Sequence, residues 1–114
     1  MKPQGSGFLI NTSSLAGLKT FPELGVYNGT KFAVEALTDA LRMELAGSGV
    51  KVAVVEPGRT NTHLFDHWSE EQRFDQTQGM LDPEDVARCV RFILEQPREV
   101  LISRLLVVPA RQPR

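Results

Sequence analysis

A single cysteine, Cys89, in 114 residues leaves no possibility of an intramolecular disulfide and sets aside the disulfide-stapled class of small secreted domains. Flanked by Arg88 and Val90 in an apolar stretch, it reads as a reduced, packed thiol. Long apolar runs are missing as well. No segment approaches the ~18 residues of a membrane span, and the opening MKPQGSGFLIN has one lysine and no sustained apolar stretch, so the sequence reads as a cytoplasmic protein without a membrane partner. Nor is there an excess of one charge: 13 Lys and Arg stand against 14 Asp and Glu, a formal net charge of -1. Without a basic stripe, nucleic acid and anionic membrane surfaces are excluded as expected partners. Histidine is scarce, and His63 and His67 lie four apart without a third ligand at suitable spacing, so no metal site is expected. Repeats and low-complexity tracts are absent.

What is present is an alternation of short apolar runs and an amphipathic helix pattern, with 41% hydrophobic residues, enough for the core of one domain spanning residues 1–114. Phe8-Leu9-Ile10 reads as a buried strand opening into the polar loop Asn11 to Ser14. From Tyr27 to Ala46 the period is helical, with Ala33, Ala36, Leu37, Ala40, Leu41 and Leu45 on one expected inward stripe and Glu35, Asp39 and Arg42 facing away. Gly47-Ser48-Gly49 ends it. Val50 to Val55 is β-branched and nearly all apolar, as in a strand covered on both faces, and Pro57-Gly58 breaks it. The polar and aromatic stretch from Asn61 to Gly79, with Phe65, Trp68 and Phe74 as possible pocket walls, is expected to be a short helical lid. Asp82 before Pro83 starts a second helix with Val86, Ala87, Val90 and Ile93 inward. Leu105 to Val108 supplies a last strand. Strands joined through helix-length crossovers imply an α/β layer on a parallel sheet, with binding loops at the carboxyl ends of the strands.

The chemistry-bearing residues fall at those ends. Tyr27 and Lys31 are four apart at the start of a helix and so share a face. A phenol with an ordinary pKa of about 10 exchanges protons poorly near neutrality; a neighbouring ammonium and the positive end of the helix favour its phenolate. Ser14, in the loop after the first strand, can offer a hydroxyl to the same reacting oxygen. A lone Tyr-x-x-x-Lys is more often an ordinary helix start, but this one has company.

Asn11-Thr12-Ser13-Ser14-Leu15-Ala16-Gly17, followed by Tyr27-Asn28-Gly29-Thr30-Lys31 with Phe21-Pro22 between them, resembles the serine and YxxxK segments of short-chain dehydrogenases/reductases. Pro57-Gly58-Arg59-Thr60-Asn61-Thr62 resembles that family's PGxxxT loop. Asp82-Pro83-Glu84-Asp85-Val86-Ala87 is similar to its last helix, and Leu105 to Pro109 with Gln112 to its final strand and tail. The resemblance implies an NAD- or NADP-dependent oxidoreductase interconverting an alcohol and a ketone or aldehyde. Tyr27 would be the acid/base, Lys31 would lower the phenol's pKa and bind the nicotinamide ribose, and Ser14 would position the substrate oxygen. Pro57, Gly58, Thr60 and Thr62 would contact the nicotinamide carboxamide, together with Tyr27 and Lys31 on the cofactor side. The fold implied is a partial doubly wound parallel sheet, the C-terminal half of a Rossmann-type fold.

The family's glycine-rich TGxxxGxG turn, which seats a pyrophosphate at a helix N-terminus, has no counterpart: Gly5-Ser6-Gly7 precedes a strand instead of joining one to a helix. The NNAG-like segment and the helix asparagine of the family's proton relay are also without counterparts. The expectation is therefore a C-terminal part of a longer parent, homo-oligomeric in full and unstable or sticky alone. Two rivals stay open, a nucleotide-sugar epimerase or dehydratase relative and a non-catalytic half-domain acting only by association.

Overall fold

The computed structural model describes residues 1–62 and 79–112. Among the described residues the regular elements are β1 (Gly7–Thr12), α1 (Gly25–Glu44), β2 (Val50–Pro57), α2 (Pro83–Leu94) and β3 (Arg104–Val107), with short 3₁₀ turns at Lys2–Gln4 and Leu15–Gly17. The strands form one sheet in the order β1-β2-β3, parallel throughout, with Gly7 opposite Val50, Asn11 opposite Val54 and Val54 opposite Arg104. The α/β fold and the parallel sheet read from the sequence are what the chain adopts.

The sheet is covered on both faces, and the register shows by which helix. Asn11, Val54, Glu56, Arg104 and Leu106 share one face because they are paired or two residues apart. α1 meets that face: the Asn11 side-chain amide donates to Thr38 Oγ1 at 2.9 Å, and Arg42 Nε donates to the Val52 carbonyl at 3.4 Å. The opposite face presents Leu105 and Val107, which line an open groove with Leu81, Asp85, Arg88, Cys89 and Phe92 beside α2. β2 is therefore the core strand, with Val52, Ala53, Val54 and Val55 each 1% exposed or less. That explains its uninterrupted apolar run.

β1 and β2 extend beyond their sequence reading, and β3 lies one residue earlier than Leu105 to Val108. Asn11 and Thr12 belong to β1, and the ladder continues one step further, since Ser13 N–H donates to the Val55 carbonyl at 2.8 Å. β3 begins at Arg104 and ends at Val107. α1 begins at Gly25, two residues before Tyr27, because the Leu24 carbonyl already accepts the Asn28 N–H at 2.8 Å. The turn into it uses Glu23 with a left-handed φ of 65°.

The inward face of α1 differs from the expected stripe. Ala33, Ala36 and Leu37 are exposed, whereas Asn28, Glu35 and Thr38 are buried and Asp39 and Arg42 are half-buried. The reason lies in the sheet: the face under α1 carries Asn11, Glu56 and Arg104, so polar side chains find partners there. Ala40, Leu41 and Leu45 remain half-buried at its far end. In α2 the expectation holds for Ile93, which is buried, and for Val86 and Val90, which are half-buried, while Ala87 is exposed. The helix starts where Asp82 N–H donates to Asp85 Oδ2 at 2.8 Å, a carboxylate on the orphan donors of the first turn. Cys89 is half-buried. The expected lid with His63, Phe65, His67, Trp68 and Phe74 falls in 63–78, outside the described residues. Among the described residues no helix is long and apolar enough to cross a membrane.

Gly49, at φ 85°, joins the turn after α1 to β2. A Cβ there would lie 2.0 Å from the Gly5 carbonyl oxygen, so only glycine lets the N-terminal turn close on the start of β2. Ile93, 1% exposed, is the anchor of α2. Ile93→Ala is expected to lower the free energy of unfolding by roughly 2–5 kcal/mol, measured by urea denaturation followed by circular dichroism.

Candidate active site

The chain after β1 leaves the sheet at Ser13 and turns at once. Ser13 is 3% exposed, and its hydroxyl donates to the Lys31 carbonyl at 3.5 Å, so it is a structural hydroxyl. Ser14, extended at φ -165° and ψ 161°, caps the following 3₁₀ turn by accepting the Ala16 N–H on its Oγ at 3.0 Å. Gly17 then passes beneath α1, where a Cβ would lie 2.6 Å from Ser13 Oγ, 3.0 Å from Glu35 Cγ and 3.0 Å from the Lys31 carbonyl oxygen. No larger residue fits between this loop and the helix without moving one of them.

The loop is fastened to the helix by Asn28. Its amide donates to the Ala16 carbonyl at 2.8 Å and the Lys19 carbonyl at 2.9 Å, and its Oδ1 accepts the Phe21 N–H at 3.1 Å. One side chain, 3% exposed, thus satisfies three backbone groups that have no ladder to join. It fixes the Ser14 loop against the first turn of α1, one residue from Tyr27.

Tyr27 and Lys31 stand one above the other on the first two turns of α1. Tyr27 is 37% exposed, and the Lys31 ammonium lies 5.8 Å from the centre of its ring, a cation over an aromatic face. Thr30 closes the turn by donating its hydroxyl to the Tyr27 carbonyl at 2.7 Å. An exposed phenol, a half-buried ammonium beside it and the hydroxyl of Ser14 in the fastened loop all lie where the chain leaves β1 and enters α1.

The second loop leaves β2 alongside. Pro57 is the last residue of that strand, and Gly58 N–H still donates to the Val107 carbonyl at 2.7 Å. The C-terminal segment packs onto it: Gln112 Oε1 accepts the Arg59 N–H at 2.9 Å, and a Cβ on Gly58 would stand 2.4 Å from that same oxygen. Thr60 folds its hydroxyl back to the Gly58 carbonyl at 3.1 Å, and its backbone bridges to Leu81 ahead of α2. Thr62 is exposed. The structure therefore joins Tyr27 to Lys31 directly, Ser14 to them through Asn28, and Pro57 to Thr60 to the tail.

The model of the short chain dehydrogenases matches residues 1–73, well over half the chain. The chain belongs to that family. It is 41% identical, over 99% of its length, to the glycine betaine reductase of Emericella nidulans, of which it covers 9%. It is 35% identical, over 98% of its length, to an uncharacterised oxidoreductase of Staphylococcus saprophyticus, of which it covers 48%. Among solved structures, the closed form of a serine dehydrogenase complexed with NADP+ superposes with a TM-score of 0.89 at 28% identity, covering all of this chain and 48% of that one. A short-chain dehydrogenase from Streptomyces avermitilis gives 0.72 at 32% identity, over 93% of this chain and 43% of that one. The chain thus spans about half the length, or less, of the proteins it matches.

In this short-chain dehydrogenase chain, two features around the site escape a linear reading. Asn28 lies inside the Tyr27–Lys31 motif with no role of its own in the pattern, although a polar amide following a Gly/Pro-containing loop is a signal for loop fastening. Glu35, read as facing solvent, is buried under Gly17, and with it come Glu56 and Arg104. Arg104 lies 3.4 Å from Glu35 and 3.6 Å from Glu56. Glu56 is fully buried, and its carboxyl is pushed up to about 7, first by burial, then by the negative charge of Glu35, against the pull of Arg104.

Removing the Asn28 side chain leaves the Ala16 and Lys19 carbonyls and the Phe21 N–H without their partner. Asn28→Ala is expected to cost roughly 2–4 kcal/mol of stability. It should also speed hydrogen exchange at the Phe21 amide, read by NMR, with α2 amides changing only as global stability does.

Proposed function

We propose that the chain carries the proton-transfer and nicotinamide-contacting part of an NAD- or NADP-dependent oxidoreductase that interconverts an alcohol and a ketone or aldehyde. The observation that carries the reading is the pairing of an exposed phenol with an ammonium one helical turn away, with the loop that carries the Ser14 hydroxyl fastened to the same helix by Asn28. The donor set suits a dinucleotide's nicotinamide end: an ammonium for ribose hydroxyls, and threonine hydroxyls on the loop after β2 for a carboxamide. That the similar serine dehydrogenase structure holds NADP+, and that of an alcohol dehydrogenase from Thermococcus sibiricus, at 25% identity and a TM-score of 0.80, holds 5-hydroxy-NADP, supports the cofactor class.

In this mechanism Tyr27 exchanges a proton at its phenolic oxygen with the oxygen of the substrate. Lys31, over the Tyr27 ring, sets a positive charge beside the phenol at which the proton is exchanged. Ser14 Oγ already accepts the Ala16 N–H, which orients its own O–H outward as a donor to the substrate's oxygen. Lys31 would also hold the ribose, while Pro57, Gly58, Thr60 and Thr62 would meet the carboxamide. The nicotinamide, when bound, supplies the hydride, and the protein supplies orientation and electrostatics. The substrate is a small alcohol or carbonyl compound, and the working protein is a homo-oligomer.

Tyr27→Phe tests the proton step in the polypeptide that carries this sequence. Turnover should fall by roughly 10²–10⁴-fold, with the dissociation constant for NADPH within about threefold of the parent's. Turnover retained in that variant refutes the role. Lys31→Ala should impair both turnover and NADPH binding, as expected of a residue that serves the phenol and the ribose together, measured by initial rates and by fluorescence titration.

A further inference from the structure

Beneath the site lies a charge cluster that the proposed reaction leaves unused. Glu35 and Asp39 come from α1, Glu56 from the end of β2 and Arg104 from the start of β3. Arg104 lies 3.4 Å from Glu35, 3.6 Å from Glu56 and 3.9 Å from Asp39. The other guanidinium nearby, Arg42, is engaged with Asp39 at 2.7 Å. Three carboxylates therefore face two guanidinium groups, and one negative charge is in excess. None of the four carboxylate oxygens of Glu35 and Glu56 has a hydrogen-bond donor among the described residues. A buried carboxylate without donors is costly, whereas a buried carboxylic acid carries a donor of its own.

The cluster is wired to both halves of the site. Glu56 is followed directly by Pro57 and Gly58, where the second loop begins. Glu35 sits one turn beyond Lys31 and presses against Gly17 in the Ser14 loop. Among the described residues, the cation reaching both glutamates is Arg104, on the strand whose Val107 carbonyl accepts Gly58 N–H.

We propose that Glu56 is a positioning residue that holds a proton in the folded protein, and that this proton keeps the end of β2, from which the Pro57–Thr62 loop springs, seated against α1, so that losing it displaces the loop and loosens cofactor binding. The inference rests on the reading of that loop, Tyr27 and Lys31 as the nicotinamide-contacting groups. The groups that face Glu56 set the direction of its titration. Burial disfavours its charge most, Glu35 and Asp39 disfavour it further, and Arg104 alone opposes them, with the result near 7 against an ordinary 4.5. Because the folded value is the higher one, the folded state binds the proton more tightly. The stabilisation is complete below about 4.5 and is lost as pH rises through about 7. The gap between those values corresponds to a change in the unfolding equilibrium of roughly a few hundredfold.

Three measurements test this together: the carboxyl ¹³C shift of Glu56 against pH, the urea midpoint against pH, and the NADPH dissociation constant between pH 6 and 8 for the parent and for Glu56→Gln. Glutamine keeps the shape of the neutral acid. The expected result is a Glu56 titration near 7, with a urea midpoint and an NADPH affinity that decline with pH in the parent but are flat in Glu56→Gln. Arg104→Gln, which removes the opposing cation, should move the Glu56 titration higher. A Glu56 carboxyl that titrates near 4.5 overturns the inference, as does an NADPH affinity whose pH slope is the same in parent and variant. Absence of NADPH binding at every pH overturns the reading of the loop itself, and the positioning role falls with it. Binding with an ordinary Glu56 overturns this inference alone.

Discussion

The seam between α1 and the sheet is polar, and the geometry of the site depends on it. Helices that lie on parallel sheets ordinarily bury an apolar stripe. Here the contact is made by Asn28 on the loop backbone, by Thr38 with Asn11, and by Glu35 near Arg104 and Glu56. Apolar surfaces tolerate sliding, whereas hydrogen bonds and ion pairs have fixed distances and directions. A helix held by such contacts has one register on its sheet. Tyr27 and Lys31 inherit their positions from that register, and the Ser14 loop is tied to the same turn by the same asparagine.

This arrangement also explains why the outer side of α1 is apolar. Val26 is 85% exposed, Leu37 64% and Met43 72%, with Ala33 and Ala36 beside them. In its first half the helix carries polar groups inward, to partners on the sheet, and Ala33, Ala36 and Leu37 outward, whereas Ala40, Leu41 and Leu45 are half-buried at its far end. Periodicity alone therefore assigns the wrong face to half of the stripe. Periodicity measures how residues segregate around a helix; it does not say which side meets the sheet.

The cluster of Glu35, Asp39, Glu56 and Arg104 has the opposite lesson for β2. Its run of valines predicts a strand covered on both faces, and the strand is buried through Pro57. A glutamate at the end of such a run looks like the point where the chain reaches solvent. It is instead fully buried, because β3 and α1 both extend past it. A short strand ending in a carboxylate is common in sequence, and only the neighbours decide whether that carboxylate is solvated.

The sequence alone determined the α/β class, the parallel sheet, the helices around Tyr27 and after Asp82, the apolar strand before Pro57 and the family to which the chain belongs. Those properties follow from local patterns, namely turn residues, β-branched runs and the four-residue spacing that puts Tyr27 and Lys31 on one face. Tertiary structure decided the rest: which side of α1 faces inward, the fastening of the Ser14 loop by Asn28, the closure of Gln112 on the Gly58 turn, and the meeting of Glu35, Glu56 and Arg104. All but the Asn28 fastening join residues far apart in the chain, and the physical reason they escape a linear reading is the same. A polar side chain's place is set by where its partner lies, and for the sheet-bound partners that is decided only when the strands pair.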